Sequence, residues 1–271
     1  MPSDASEKGY VLATGVAAEP RLLLLDEIFS PASRELLLAA GLTPGMRVAE
    51  LGGGAGLFAA WMAGIVGPSG SVTLVDNSEE QLQLARKNAA ALGISNLNFV
   101  RAGACDTGLR RSSFDLIYCR FLLCHLPDRR MALAEMRALL KRGGLLVSED
   151  YDHAGTFSEP ASDAYRRLVE ISNAVDRWRG LEPGAGLELP RLFREAGFAA
   201  PEVRMSQPVF LRGPCKLLWE MTLREAAPSI VASGVSTEQE LQSICAELRR
   251  IAADDTVLVG IARVTQVWAR I

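Results

Sequence analysis

Histidine is scarce in this 271-residue chain, with only His125 and His153, and the five cysteines (Cys105, Cys119, Cys124, Cys215, Cys245) include no Cys-x-x-Cys pair. An odd, scattered cysteine set excludes a disulfide framework, and two histidines without paired thiols give no zinc-ligand pattern. Such thiols suit a reducing cytoplasm. Basic runs are missing too: 29 Lys and Arg lie among 32 Asp and Glu, for a net charge of −3, so nothing attracts a nucleic-acid backbone. No apolar run is long enough to span a bilayer, and Met1-Pro2-Ser3-Asp4-Ala5-Ser6-Glu7 lacks the apolar centre of a signal peptide. A soluble cytoplasmic protein without membrane or nucleic-acid partners is expected, and no internal repeat or low-complexity tract is present.

What is present is a 49% apolar composition and alternating strand and helix patterns, which predict an α/β protein with a parallel, doubly wound sheet. A helix is expected from Ser30-Pro31 to Gly41, with Leu36, Leu37 and Ala40 on one face. Another follows Ser78, with Leu82, Ala85, Ala89 and Leu92 at helical spacing. A third opens at Asp128 with Met131, Ala134 and Leu139 inward. Strands are expected at Ser71 to Asp76, Leu97 to Val100, Phe114 to Arg120 and Leu145 to about Ser148. Later, Glu159 to Arg179 carries Tyr165, Leu168, Ile171, Val175 and Trp178 on one stripe, and Leu241, Ile244, Cys245, Leu248 and Ile251 mark a second amphipathic helix. Leu189 to Ala196 reads as a short helix before a strand near Val203, and Val257 to Ile271 as a final strand.

The chemistry concentrates at Val48-Ala49-Glu50-Leu51-Gly52-Gly53-Gly54-Ala55-Gly56, a buried strand running into a glycine turn and then a helix. Glycines without a Cβ let the backbone approach a ligand closely. Counting from Gly52, the sixth position is Leu57, so the spacing departs from the dinucleotide fingerprint G-x-G-x-x-G. Glu50 at the strand end would repel a pyrophosphate but suits a cationic amine or sulfonium.

Glu50, Gly52, Gly54 and Gly56 match the first motif of the class I S-adenosylmethionine-dependent methyltransferases, and the chain resembles that family over roughly residues 40 to 150. Asp76 ends a second strand where the family binds both ribose hydroxyls. Phe114-Asp115 resembles the fourth strand, His125-Leu126-Pro127-Asp128 its sequel, and Leu140 to Val147 the helix-to-strand return. The type is that of the bacterial small-molecule enzymes similar to the ubiquinone/menaquinone-type methyltransferases. The resemblance implies a Rossmann-like sheet of seven strands, the last antiparallel, with helical cap insertions. It divides the chain into an N-terminal helical lid segment (1–45), a cofactor-binding core (46–150) and the rest of the core (151–271), with insertions at about 155–185 and 213–255.

By the same resemblance, S-adenosyl-L-methionine is held by Glu50 and the glycines at its methionine portion, by Asp76 and Asn77 at the ribose, and by Ala104 and Cys105 at the adenine. Gly103 stands where many members carry an acid, and Asp106 is the alternative that would swing in. Arg120 lines the floor below the sulfonium, and Tyr10, in Gly9-Tyr10-Val11-Leu12, closes the site, with a disordered tail as the alternative. His153, Asp152 and His125 are the candidates for removing an acceptor's proton. The alternatives are that His125 is structural, that Asp152 and His153 are solvated loop, and that Asp76 merely caps a helix. The function implied is methyl transfer to a small-molecule oxygen, nitrogen or carbon, oxygen preferred, leaving S-adenosyl-L-homocysteine. A nucleotide-dependent oxidoreductase and a non-catalytic cofactor-binding protein are the alternatives. A homodimer or higher homo-oligomer would form through the cap helices or the N-terminal segment.

Overall fold

The computed structural model describes residues 11–271. Helix α1 spans Glu19–Ala40, with Pro20 in its first turn and Pro31 inside it. The expected start at Ser30-Pro31 is therefore corrected by eleven residues. An interior proline costs one helical hydrogen bond, but packing holds both halves of α1. Leu24, Ile28 and Phe29 join one core, while Leu36 and Leu37 join another.

Strand β1 (Arg47–Leu51), helix α2 (Leu57–Val66), β2 (Ser71–Asp76), α3 (Glu79–Ala91) and β3 (Leu97–Arg101) form the first half of the sheet. β4 (Phe114–Arg120), α4 (Arg129–Leu139) and β5 (Leu140–Asp152) begin the second. They are followed by β6 (Phe157–Glu159), α5 (Asp163–Trp178), α6 (Ala185–Glu195), β7 (Glu202–Ser206) and β8 (Val209–Phe210). Last come α7 (Leu218–Ala232), α8 (Glu238–Ala253), β9 (Leu258–Gly260) and β10 (Arg263–Arg270). The main sheet runs β3-β2-β1-β4-β5-β10-β7. Neighbours from β3 to β5 are parallel, and β10 is antiparallel to both β5 and β7, so the last strand is the reversed one, as expected. Strand order turns round between β1 and β4, and the crevice beyond their carboxyl ends is where such sheets bind ligands.

Local signals explain several boundaries. Ser78 Oγ accepts from Gln81 N at 3.3 Å to start α3, and Asp128 Oδ1 accepts from Met131 N at 2.8 Å to start α4. Of the expected inward face of α4, Leu139 is buried as expected, but Met131 and Ala134 are exposed, and Ala132, Leu133 and Met136 take their place in the core. Leu92 also faces solvent because it lies past the end of α3. Strand β5 runs four residues beyond the expected Ser148. Its charged end is carried inside because each acid is satisfied: Tyr118 Oη and Gln266 Nε2 both donate to Glu149 at 2.7 Å, and Cys124 N donates to Asp150 at 3.0 Å. β10 pairs along it from Leu145 to Asp152.

Helices α5, α7 and α8 pack with the first half of α1 in one apolar cluster, using the stripes of Tyr165, Leu168, Ile171 and Val175 and of Leu241, Ile244, Cys245, Leu248 and Ile251. The expected final strand is broken into β9 and β10, and β6, β9 and β8 form a separate three-stranded sheet. Strands of two or three residues leave too short a pattern to read. Among the described residues, no helix is long and apolar enough to cross a membrane.

Candidate active site

Beyond β1 the chain turns through Gly52, Gly54 and Gly56, with φ of +72°, +52° and +72°. The three differ in what surrounds them. A Cβ on Gly52 would meet Leu122 Cδ1 at 2.8 Å and one on Gly56 would meet Ala85 Cβ at 2.7 Å, whereas one on Gly54 would meet nothing within 4 Å. Two glycines thus allow close packing, and Gly54 presents bare backbone to open space. Gly54 N donates to Asp76 Oδ2 at 3.0 Å and Ser78 N to Asp76 Oδ1 at 2.9 Å. Asp76 therefore clips the glycine loop to the end of β2 and keeps a further lone pair on each oxygen for a ligand hydroxyl. Burial pushes its carboxyl up from the ordinary value, against the pull of these backbone donors.

Glu50, at the carboxyl end of β1, is 5% exposed, and its Oε2 is buried with no hydrogen-bond partner among the described residues. Burial pushes its pKa up to about 8; Arg120 opposes the shift, and the charges of Asp26 and Asp76 add to it. Arg120 ends β4 and is fixed in place. Its Nη1 donates to Ser30 Oγ and Ser33 Oγ, each at 3.1 Å, its Nη2 lies 3.6 Å from Asp26 Oδ1, and its guanidinium sits 4.8 Å above the Phe58 ring.

These groups share one cavity of about 620 Å³, which Asn77, Ala104 and Cys105 also line. Cys105 Sγ donates to Asp128 O at 3.7 Å. Asp106 is not on the wall: the chain turns tightly between Gly103 and Asp106, which leaves its carboxylate exposed. Sequence reasoning passed over Gln81, whose Oε1 is buried, unpartnered and on the cavity wall. The only signal was Ser78-Glu79-Glu80-Gln81, the spacing of a capping box, which reads as a helix start. Two unpartnered buried acceptors, the open lone pairs of Asp76 and the bare face of Gly54 fit an ammonium, ribose hydroxyls and an adenine amino group, the donors that S-adenosylmethionine carries.

The other end of the cavity is aromatic. Phe29, Phe121, Tyr151 and His153 follow one another with centroids 4.9, 5.3 and 4.7 Å apart, and Trp219 lies 5.5 Å from His153. Ile261 and Ala262, at the break between β9 and β10, close this wall. Burial pushes His153 down to about 4, with Asp152 opposing, and His125 down to about 3, helped by the positive charges of Arg179 and Arg21. Both imidazoles are neutral near pH 7.

Of the expected proton acceptors, the structure brings His125 and His153 to the cavity but not Asp152. Successive strand residues face opposite ways, so Tyr151 turns inward, while Asp152 pairs with Arg263 at 2.5 Å and accepts from Ala154 N at 3.0 Å. The alternative that this segment is solvated loop does not hold: Asp152 and His153 are both buried. Tyr10 lies outside the described residues. Arg21, Arg179 and Trp219 line the wall and were not foreseen.

Comparisons with known proteins agree with this geometry. A family model for a methyltransferase domain matches residues 48–144. The ubiquinone/menaquinone biosynthesis C-methyltransferase UbiE of Shewanella halifaxensis is 36% identical over 135 residues, which are 49% of this chain and 51% of that protein. The match thus spans about half the length of the curated relative. A structure of a candidate methyltransferase from Bacillus halodurans superposes with a TM-score of 0.61 at 19% identity, over 88% of this chain and 97% of that one. Phosphoethanolamine N-methyltransferase 2 of Haemonchus contortus, solved with S-adenosylhomocysteine, gives 0.53 at 17% identity over 98% of this chain and 56% of that one. The glycine loop with Glu50 and Asp76 lies inside the matched segment, so residues 48–144 are similar to a methyltransferase domain, carried on a sheet whose fold is that of the solved methyltransferase structures.

Proposed function

We propose that this chain transfers a methyl group from S-adenosylmethionine to a small molecule, with oxygen slightly preferred over nitrogen or carbon as the acceptor atom. The observation that carries this reading is one continuous cavity with unpartnered acceptor atoms and a glycine loop at one end and an aromatic wall with two neutral histidines at the other. The bound cofactor supplies an electrophilic methyl on a sulfonium. What the protein adds is alignment and exclusion of water. Glu50 and Gly54 hold the methionine portion, Asp76 and Asn77 the ribose, and Gln81, Ala104 and Cys105 the adenine side. Arg120, a fixed cation, suits the methionine carboxylate better than a site beneath a sulfonium of like charge.

At the acceptor end, the α1 half that carries Arg21, the end of α5 and the start of α7 act as a cap, in keeping with a lid at 1–45 and insertions at about 155–185 and 213–255. His153 accepts the hydrogen bond of an acceptor hydroxyl. Its depressed basicity makes it an orienting group first and a proton acceptor only as the hydroxyl acidifies in the transition state. A carbon acceptor is the second reading, favoured by the likeness to a quinone-pathway C-methyltransferase over residues of the core. The test is transfer of labelled methyl from S-adenosylmethionine to phenols, quinols and amines, followed by location of the label in the product. Methylated phenol oxygen supports the first reading and ring carbon the second. Binding of the cofactor with no transfer to any of the three classes overturns both in favour of a non-catalytic binder.

A further inference from the structure

Among the described residues, three donor groups at the aromatic end of the cavity have nothing to donate to. Arg21 is 3% exposed; its Nε donates to Glu225 Oε2 at 2.7 Å, while its Nη2 is buried and unpartnered. Arg179 Nε and Trp219 Nε1 are also buried without a partner, and all three residues line the cavity. Guanidinium and indole nitrogens donate and do not accept. At the glycine-loop end the unpartnered atoms are of the opposite kind, the acceptors Glu50 Oε2 and Gln81 Oε1. These two acceptors thus lie toward the cofactor, and the three donors toward whatever receives the methyl group.

Arg21 and Arg179 are far apart in the sequence, yet both line this one cavity with His125, and the positive charge of each opposes protonation of its imidazole. Neighbouring charges do not use up their donors. Arg129 is engaged elsewhere, with Leu123 O, Glu182 O and Glu188 at 3.0, 2.6 and 2.7 Å. Glu225 holds Arg21 through its Nε alone, and Asp176, which acts on Arg179 through space, is not on the cavity wall. Around these donors the surface is apolar, with Leu22, Leu25 and Leu218 beside the aromatic series.

We propose that the methyl acceptor carries an anionic oxygen group, a carboxylate or a phosphate monoester, on an otherwise apolar or aromatic body, and that Arg21 and Arg179 bind this group with Trp219 as a third donor. A forked guanidinium matches either oxyanion. The proposal rests on the methyl-transfer reading for the identity of the other occupant of the cavity.

The test compares 1-naphthoate, 1-naphthyl phosphate and the neutral 1-naphthamide by calorimetric titration, with and without saturating S-adenosylhomocysteine. An anion that binds at least about tenfold more tightly than the amide supports the proposal, and the tighter of the two names the group. In R179Q and R21Q this preference should fall toward unity while S-adenosylhomocysteine affinity stays near that of the wild type; R179K should restore part of it. Equal binding of anion and amide to the wild type overturns the proposal without any variant, so a misfolded R21Q does not spare it. A preference that survives in the double variant overturns it as well. An S-adenosylhomocysteine affinity that drops about tenfold or more in R21Q gives that arginine to the methionine carboxylate and also overturns it. Failure of the wild type to bind S-adenosylhomocysteine sinks the methyl-transfer reading instead, and the anion-to-amide ratio without cofactor then decides the anion site by itself.

Discussion

Glu50 couples cofactor binding to pH. In the ligand-free protein its carboxyl is pushed up to about 8 by burial, from an ordinary 4.5, so at pH 6 it is almost wholly protonated. That shift corresponds to about 5 kcal/mol against the charged form. An ammonium or sulfonium beside Oε2 reverses the preference, and binding then expels a proton. If only the ionised form binds, apparent affinity scales with the ionised fraction, about one in a hundred at pH 6 and about one half at pH 8. S-adenosylhomocysteine, whose ammonium is the relevant cation, should therefore bind roughly 50-fold more tightly at pH 8 than at pH 6. Calorimetry at pH 6.5 in two buffers of different ionisation enthalpy should show close to one proton released per ligand. In E50Q the proton release should vanish and the affinity should become flat with pH. A wild-type affinity that is constant from pH 6 to 8, with no proton released, would refute the reasoning: Glu50 would then be ionised before the ligand arrives, or would not face its cation.

Gly54→Ala and Gly56→Ala should separate ligand space from packing. Both carry a backbone strain of about 1–2 kcal/mol at positive φ, but only the Gly56 Cβ runs into Ala85, at 2.7 Å. G54A should thus melt closer to the wild type and lose S-adenosylhomocysteine binding, whereas G56A should show the larger fall in Tm; the reverse order would contradict the assignment. His153 stays neutral down to about pH 4 in the folded protein, against 6.5 in the unfolded chain. Protonation of the unfolded state therefore removes stability as pH falls through that window. By urea denaturation, wild type should lose about 3 kcal/mol relative to H153Q between pH 7 and pH 4; a pH-independent difference would show that the imidazole is not held neutral. Comparison with the variant is needed because Asp150, Asp176 and Glu50 have raised values and shift stability in the opposite direction. Leu133→Ala, at a fully buried position on α4, should cost about 2–5 kcal/mol, while Met131→Ala, on the exposed face where the sequence pattern suggested the core, should cost under about 1 kcal/mol.

The glycine loop was legible because its chemistry is local: an acid, three glycines and a second strand ending in Asp76 lie within one strand-helix-strand unit. The reversed last strand was available only through resemblance, since nothing in the pattern of β10 reports its direction. The carboxyl end of β5 was misread for a physical reason. Glu149 and Asp150 look like loop residues until Tyr118, Gln266 and the Cys124 backbone supply their hydrogen bonds, and those partners come from three other places in the chain. Once the strand is extended, its alternation decides which of Asp152 and His153 reaches the cavity, a phase that the sequence alone does not state. Pro31 misled in the same way, because packing on both sides of α1 outweighs one lost hydrogen bond. Arg21 and Arg179 were illegible as a pair because only the tertiary fold brings them to one wall.

The most direct test of the central claim is calorimetric titration of the protein with S-adenosylhomocysteine, with NADH in a parallel cell and D76A as the control. Micromolar binding of S-adenosylhomocysteine that is lost in D76A, with no heat from NADH, is the predicted result. Binding of NADH alone, or S-adenosylhomocysteine affinity unchanged in D76A, would contradict the account of the cofactor site.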